Sequence, residues 1–389
     1  MKTIYFDNSA STAISEEALQ KYISVSRENY GNPSSLHAMG VCAEEEIKLA
    51  KERIKSSLKA KDHVVIFTSS GSEANNLCII GRALSKERYR GRGKIITTLG
   101  EHASISEPIA RLRAMGYKTV AIPTAGGAVD MDALISELDE SVILLTAMMV
   151  NNETGAVYNL PRMAAELKHR CPEAFFHVDA TQGYMKIPFT MADIGADMLT
   201  ISSHKIHGPK GVGALVISRE VIKTKALAPI ILGGGQEMGL RSGTENVPGI
   251  AAFGEAVVTE LGRLSESFAH MAALRERVIL GIESRPELRE ISIVKPPKHA
   301  PHILNITLPG IKSETMLHYL NSEGIFVSSG SACSSNTGHL SDALTAYGKS
   351  AKEADSSIRI SFDRSNTIEE ADLFLDALAR GIERLARVK

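Results

Sequence analysis

The chain has 389 residues, 43% of them hydrophobic and 23% charged, with a formal net charge of -1. That length suits two domains, or one large domain with a smaller companion, and the apolar content builds a core without disulfide or metal staples. The near-zero charge shows no basic excess of the kind expected of a nucleic-acid-binding or membrane-surface protein.

The N-terminal MKTIYFDNSA lacks the basic, apolar, then small-residue pattern of a signal peptide. No apolar run approaches the ~20 residues of a membrane span. From about residue 60 to 220, β-rich runs alternate with amphipathic stretches. Strands are predicted at Val64–Thr68, Lys94–Thr98, Lys118–Ile122, Val142–Val150, Phe175–Asp179, Met198–Ser202 and Gly213–Ser218. Helices are predicted between them at Glu73–Leu84, Ile105–Met115 and Met163–Arg170. This alternation predicts an α/β fold with a mostly parallel sheet covered on both faces. Runs such as VVIF and VILLTAMMV do not alternate, as expected of strands buried on both sides. Near Asn246 the pattern changes to a long helix reaching about Ile282. Two strands follow, at Ile303–Thr307 and Ile358–Phe362, with helices around Ser313–Leu320 and Thr367–Ala386. These read as a second, smaller α+β domain.

In an open parallel sheet, ligands bind beyond the carboxyl ends of the strands. Polar groups fall at five such ends: Ser69-Ser70-Gly71-Ser72, Glu101-His102, Asn151-Asn152-Glu153, Asp179, and Ser202-Ser203-His204-Lys205. One cleft lined by all five is expected. The turn at Gly71 and Ser72 leads from a strand into a helix, where free N–H groups favour a phosphate; an ordinary N-capped helix would look the same. Asp179 can hold a protonated pyridine nitrogen or cap a helix. Lys205 lies in SSHKIHGPKG, as a Schiff-base lysine or as part of a basic surface loop. Arg359 suits bidentate capture of a carboxylate or a surface ion pair.

The four cysteines, Cys42, Cys78, Cys171 and Cys333, form no CxxC pair and fit no zinc template, so free thiols in a cytoplasmic protein are expected. The first three sit in apolar or helical contexts and are expected to pack as small hydrophobes. Cys333 lies instead in the small, polar SSGSACSS, where packing explains it poorly and a reactive thiol explains it better.

The ordered set GNPSSLH, SSGSEANN, EHASI, NNETG, HVDATQ, SSHKIHGPKG, GGGQE, RSGTEN, SSGSACSS and SIRISFDR resembles the cysteine desulfurases. These belong to the class V aminotransferase group of fold type I pyridoxal-phosphate enzymes. The resemblance implies pyridoxal 5'-phosphate carried by Lys205, with Asp179 on the ring nitrogen, Gln182 on the ring hydroxyl and His102 stacked on the ring and moving protons. Gly71, Ser72, Ser202 and His204 would bind the phosphate, and Thr244 the phosphate of a partner subunit's cofactor in a homodimer. Asn152, also beside the cofactor, would hold the substrate carboxylate with Arg359, and Asn32 is a further substrate contact. Cys333 would be the nucleophile that takes sulfur from L-cysteine, releases L-alanine and passes the sulfur to an acceptor protein, an iron–sulfur scaffold or a thiolation enzyme. The implied division is a large domain over 15–255 and a small domain formed by 1–14 with 256–389, which carries the Cys333 loop.

Two departures stand out. The phosphate turn reads SSGSEANN where the family more often has SGATE, and the stretch after the cysteine, from Thr337 to Leu344, lacks the family's proline. The longer Ser/Gly loop resembles the subgroup that serves iron–sulfur assembly and tRNA thiolation. A selenocysteine lyase or small-amino-acid transaminase of the same fold is the nearest alternative, although a transaminase has no need of Cys333. A non-catalytic scaffold is the alternative of another class, and it would have no reason to keep Lys205, Asp179 and His102 together.

Overall fold

A computed structural model describes residues 3–329 and 341–386. Cys333 lies outside the described residues. The chain opens with a short strand, β1 (Ile4–Tyr5), and two helices, α1 (Glu16–Glu28) and α2 (Ala38–Ser57). Seven strands then build the main sheet: β2 (Val64–Thr68), β3 (Lys94–Thr98), β4 (Lys118–Ile122), β5 (Val142–Met148), β6 (Phe175–Asp179), β7 (Met198–Ser202) and β8 (Gly213–Ile217). Their order is β2-β8-β7-β6-β5-β3-β4. Only β8 runs against the rest, pairing antiparallel with both β2 and β7. The carboxyl ends of the other six therefore share one edge.

Every residue of β3, β5, β6, β7 and β8 is buried. Helices on both faces leave no wet side, so these strands carry no alternation. The strand predicted to reach Val150 stops at Met148, because the chain folds back there: Tyr158 N donates to Met149 O and Asn151 N to Ala156 O. That turn aims Asn152 and Glu153 off the sheet edge. The helices α3 (Gly71–Leu84) and α4 (Ala103–Ala114) begin two residues earlier than the apolar pattern indicates. Their first turns are set by caps rather than by burial: Ser70 Oγ accepts from Glu73 N, and His102 Nδ1 accepts from Ser104 N.

The long helix Val247–Ser284 has 38 residues and spans roughly 57 Å at about 1.5 Å per residue. Its first turns bury Ile250, Phe253 and Val257 in the core beneath the main sheet. Its later turns bury Met271, Leu274 and Val278 in a separate core. That second core covers an antiparallel sheet of β9 (Ser292–Ile293), β10 (Ile303–Thr307), β12 (Ser328–Ser329) and β13 (Ser357–Ser361), in the order β12-β13-β10-β9. A further strand, β11 (Ile325–Phe326), pairs in parallel with β1. The N-terminus thus belongs to the second core, where Phe6 meets Phe362 and Phe374 edge-on at 5.4 and 5.9 Å.

One expectation about the cysteines is corrected. Cys78 and Cys171 are buried, but Cys42 is exposed. The buried positions of α2 are Gly40, Ala43, Ile47, Ala50 and Ile54, and position 42 falls off that stripe.

The residues after β1 run across to the main sheet and strap down the loop that carries Lys205. Thr12 donates through N and Oγ1 to His204 O, Ser15 N donates to His207 O, and His207 N donates to Thr12 Oγ1. A buried ionic cluster closes this strap. His207 Nε2 lies 2.8 Å from Asp363 Oδ2 and its Nδ1 lies 2.9 Å from Ala13 O, while Lys186 Nζ sits 3.4 Å from the same carboxylate oxygen. These contacts hold His207 at a φ of +62°, a left-handed conformation that non-glycine residues rarely adopt. Burial alone would push the Asp363 carboxyl up, but the His207 hydrogen bond and the Lys186 charge hold it well below the usual range. Asp363→Ala leaves the Lys186 ammonium and the His207 ring buried without their carboxylate and should cost about 3–5 kcal/mol in denaturant unfolding at neutral pH. A carboxyl whose folded pKa is depressed stabilises above its unfolded value and loses that contribution as pH falls. The gap between wild type and variant should therefore narrow below about pH 4.

Candidate active site

The shared edge of the main sheet opens into a cavity of about 1220 Å³. All five polar strand ends reach it. Gly71 and Ser72 enter from β2, Glu101 and His102 from β3, Asn152 and Glu153 from β5, Asp179 and Gln182 from β6, and Ser202, His204 and Lys205 from β7. Arg359, from β13 of the second sheet, lines the same cavity. So do Asp7 and Ser9 of the N-terminal strap, which the sequence did not single out.

The strap fixes several of these groups. Lys205 Nζ donates to Ser9 O and Ala10 O at 2.5 and 2.9 Å. Gln182 Nε2 donates to Ser9 O at 2.8 Å. Arg359 donates to Asp7 Oδ1 at 2.9 Å and to Asn152 O at 2.8 Å, and its Nε is buried with no partner among the described residues. Two charge-assisted contacts thus orient the guanidinium.

Asp179 ends the central strand β6. Its Oδ1 accepts from Thr181 N at 2.9 Å and its Oδ2 from Asn75 Nδ2 at 2.7 Å. No helix starts directly after β6, so the Thr181 contact closes a turn; the helix-capping alternative is not realised and the cavity-facing one is. Beneath it, His177 bridges the neighbouring strands through Thr146 Oγ1 at 2.8 Å and Thr200 Oγ1 at 3.0 Å. Burial pushes His177 down to about 4, so a neutral ring backs the carboxylate. Burial, with the charges of Lys205 and Lys210, pushes His204 down to about 4 as well. His102 is also lowered, by burial first and by the Lys205 charge, against the opposing pull of Asp179.

Two carboxyls on the wall move the other way. Burial pushes Glu153 up to about 7 even though Ser341 Oγ donates to it at 2.5 Å. Burial, aided by the Asp179 charge, pushes Glu101 up to about 8. Glu101 Oε1 accepts from Thr98 Oγ1 and from Met148 N, which ties the end of β3 to the end of β5.

Two expected site residues do not reach the cavity in this chain. Asn32 is exposed, and its Oδ1 accepts from Ser34 N at 2.9 Å within its own turn. Thr244 is exposed and lies away from the cavity lining. Conversely, Asn75 was not singled out, although it follows Ser72 by three residues and so shares its helix face. That spacing was the one signal available for it.

The cavity suits a phosphorylated, aldehyde-bearing aromatic cofactor. Ser202 lines the cavity beside Gly71 at the start of α3, and its Oγ is buried with no partner among the described residues. A Cβ on Gly71 would meet Thr181 Oγ1 at 3.2 Å and Ser202 Cβ at 3.4 Å, so glycine keeps that approach open. An amine, a carboxylate and a hydroxyl-lined helix N-terminus around one cavity on this sheet define a fold type I pyridoxal-phosphate protein. The aminotransferase class-V family model matches residues 4–374, and the chain belongs to that family. It is 36% identical to the protein named cysteine desulfurase IscS 1 of Archaeoglobus fulgidus, over 98% of this chain and 97% of that one. A solved structure titled NifS-like protein superposes with a TM-score of 0.90 at 34% identity, covering 99% of this chain and all 100% of that one. Another, titled SspA in complex with cysteine, gives 0.79 at 30% identity over 94% of this chain and 100% of that chain. The cofactor of the family is pyridoxal 5'-phosphate.

A buried carboxyl with a raised pKa keeps its proton on folding. Unfolded, Glu101 ionises from about pH 4.5, whereas folded it holds its proton to about 8. Wild-type stability should therefore fall across that window. Glu101→Gln, which cannot ionise, should gain on wild type as pH rises from about 5 to 8, read by denaturant midpoints across pH.

Proposed function

We propose that the chain is a cysteine desulfurase acting on L-cysteine, with Lys205 as the cofactor lysine and Cys333 as the sulfur-accepting nucleophile. One observation carries the reading: Lys205, Asp179 and Arg359 line a single cavity, so an amino acid can be held by its carboxylate while its amino group reaches the cofactor. The similarity to a protein named cysteine desulfurase, nearly end to end, supports the substrate.

Gly71, Ser72, Ser202 and His204 would hold the cofactor phosphate, Asp179 its ring nitrogen, and Gln182 its ring hydroxyl. When bound, the cofactor supplies an electron sink for the carbon next to the substrate amine. Arg359, held by Asp7 and the Asn152 carbonyl, binds the substrate carboxylate. Lys205, once displaced, takes the proton from the substrate Cα at Nζ. The Cys333 thiolate attacks the substrate sulfur, the C–S bond breaks, and the alanine carbon is protonated in turn. Cys333 is left carrying a persulfide for an acceptor protein of iron–sulfur assembly or thiolation.

We read the two cores as the two expected domains, joined by the long helix. Thr244 would reach the cofactor phosphate of a second subunit in a homodimer, a reading its exposure supports. Among the described residues no helix is long and apolar enough to cross a membrane. A cytoplasmic setting is proposed from the four cysteines and the absence of any CxxC pair.

Purified wild type should be yellow and release sulfide from L-cysteine with a reductant. Cys333→Ala should stay yellow and lose sulfide release; full activity in that variant would sink the persulfide assignment. Borohydride should fix the cofactor covalently to wild type and not to Lys205→Ala.

A further inference from the structure

Asn75 is 1% exposed, and its amide joins two parts of the site. Nδ2 donates to Asp179 Oδ2 at 2.7 Å and to Ser104 Oγ at 2.8 Å. A flipped amide would set its oxygen against a carboxylate oxygen, so Asp179 fixes which way Asn75 faces. Both Nδ2 hydrogens are then engaged, one on each partner. Ser104 Oγ therefore accepts at this contact, and its own hydrogen is left for His102 Nδ1, 2.8 Å away. The Ser104 backbone N–H donates to the same ring nitrogen at 3.1 Å. Nδ1 thus faces two donors, which leaves the ring hydrogen to Nε2.

We propose that Asn75 and Ser104 are positioning residues that lock His102 as the Nε2–H tautomer, with the direction of every hydrogen in the chain set by the Asp179 carboxylate. The inference rests on the desulfurase reading for its catalytic meaning, while the tautomer itself stands on the hydrogen bonds. His102 then presents a donor to whatever occupies the cavity, since its other nitrogen is already taken. It steadies a ligand and stacks on it, and proton removal from the substrate falls to Lys205. The lowered pKa of the ring keeps it neutral and so preserves the lock.

A merely structural asparagine would affect stability and leave the tautomer alone, so the test reads the tautomer. Cofactor-loaded, full-length protein labelled with ¹⁵N-histidine is observed by long-range ¹H–¹⁵N correlation, with His102→Asn identifying the signal among 12 histidines. Wild type should show the Nε2–H form at neutral pH. Ser104→Ala should lose that pure signature and Ser104→Thr, which keeps the hydroxyl, should retain it. Asn75→Ala should lose it while keeping the helical circular-dichroism spectrum. An Nδ1–H tautomer in wild type overturns the proposal. So does an unchanged signal in Ser104→Ala, because the backbone N–H alone would then fix the ring. Wild type that shows the lock yet releases no sulfide from cysteine sustains the relay and overturns the desulfurase reading instead.

Discussion

The carboxylate of Asp179, placed by the central strand at the floor of the cavity, orders the site around it. It accepts from Thr181 N and from Asn75, and through Asn75 it reaches Ser104 and His102. Its charge helps keep Glu101 protonated and opposes the lowering of His102. A buried charge of this kind is tolerated only with fixed donors, and here a backbone N–H and an amide supply them. His177 behind it is neutral, so no competing cation draws the carboxylate away from the cavity.

The second constraint is topological. Lys205 and Asp179 come from the main sheet, Arg359 from the second sheet, and the N-terminal strap holds all three regions in register. Asp7 grips Arg359, Ser9 accepts from both Lys205 and Gln182, and Thr12 and Ala13 hold the loop after Lys205. The same strap begins in the second core at Ile4 and Phe6. Joining the two cores and aligning the site are thus done by one segment, and the His207–Asp363–Lys186 cluster fastens it.

Much of the fold was legible because burial writes a strong pattern. The seven strands of the main sheet were predicted to within two residues, since each is a β-branched or apolar run bounded by polar ends. The starts of α3 and α4 were read late, because Gly71, Ser72 and Ala103 carry no apolar signal and their caps depend on side-chain geometry. Cys42 was misplaced because residues near it are apolar while its own helix position faces outward. The polar strand ends converged as expected, since in a parallel sheet they can only share one edge. Asn75 and Ser104 were not legible as a pair: they lie on different helices, and only the packing of α3 beside α4 brings them together.

The sequence by itself determined the class of the protein. Strand–helix alternation, polar residues at successive strand ends and the ordered motifs around Lys205 and Asp179 are properties of the chain alone. The tertiary structure decided what those residues do to one another. It made the N-terminal segment the strap of the lysine loop, settled Arg359 as an oriented cavity donor instead of a surface ion pair, and directed the hydrogens from Asp179 to His102. Such couplings depend on distances between segments far apart in the chain, and local composition carries no record of those distances.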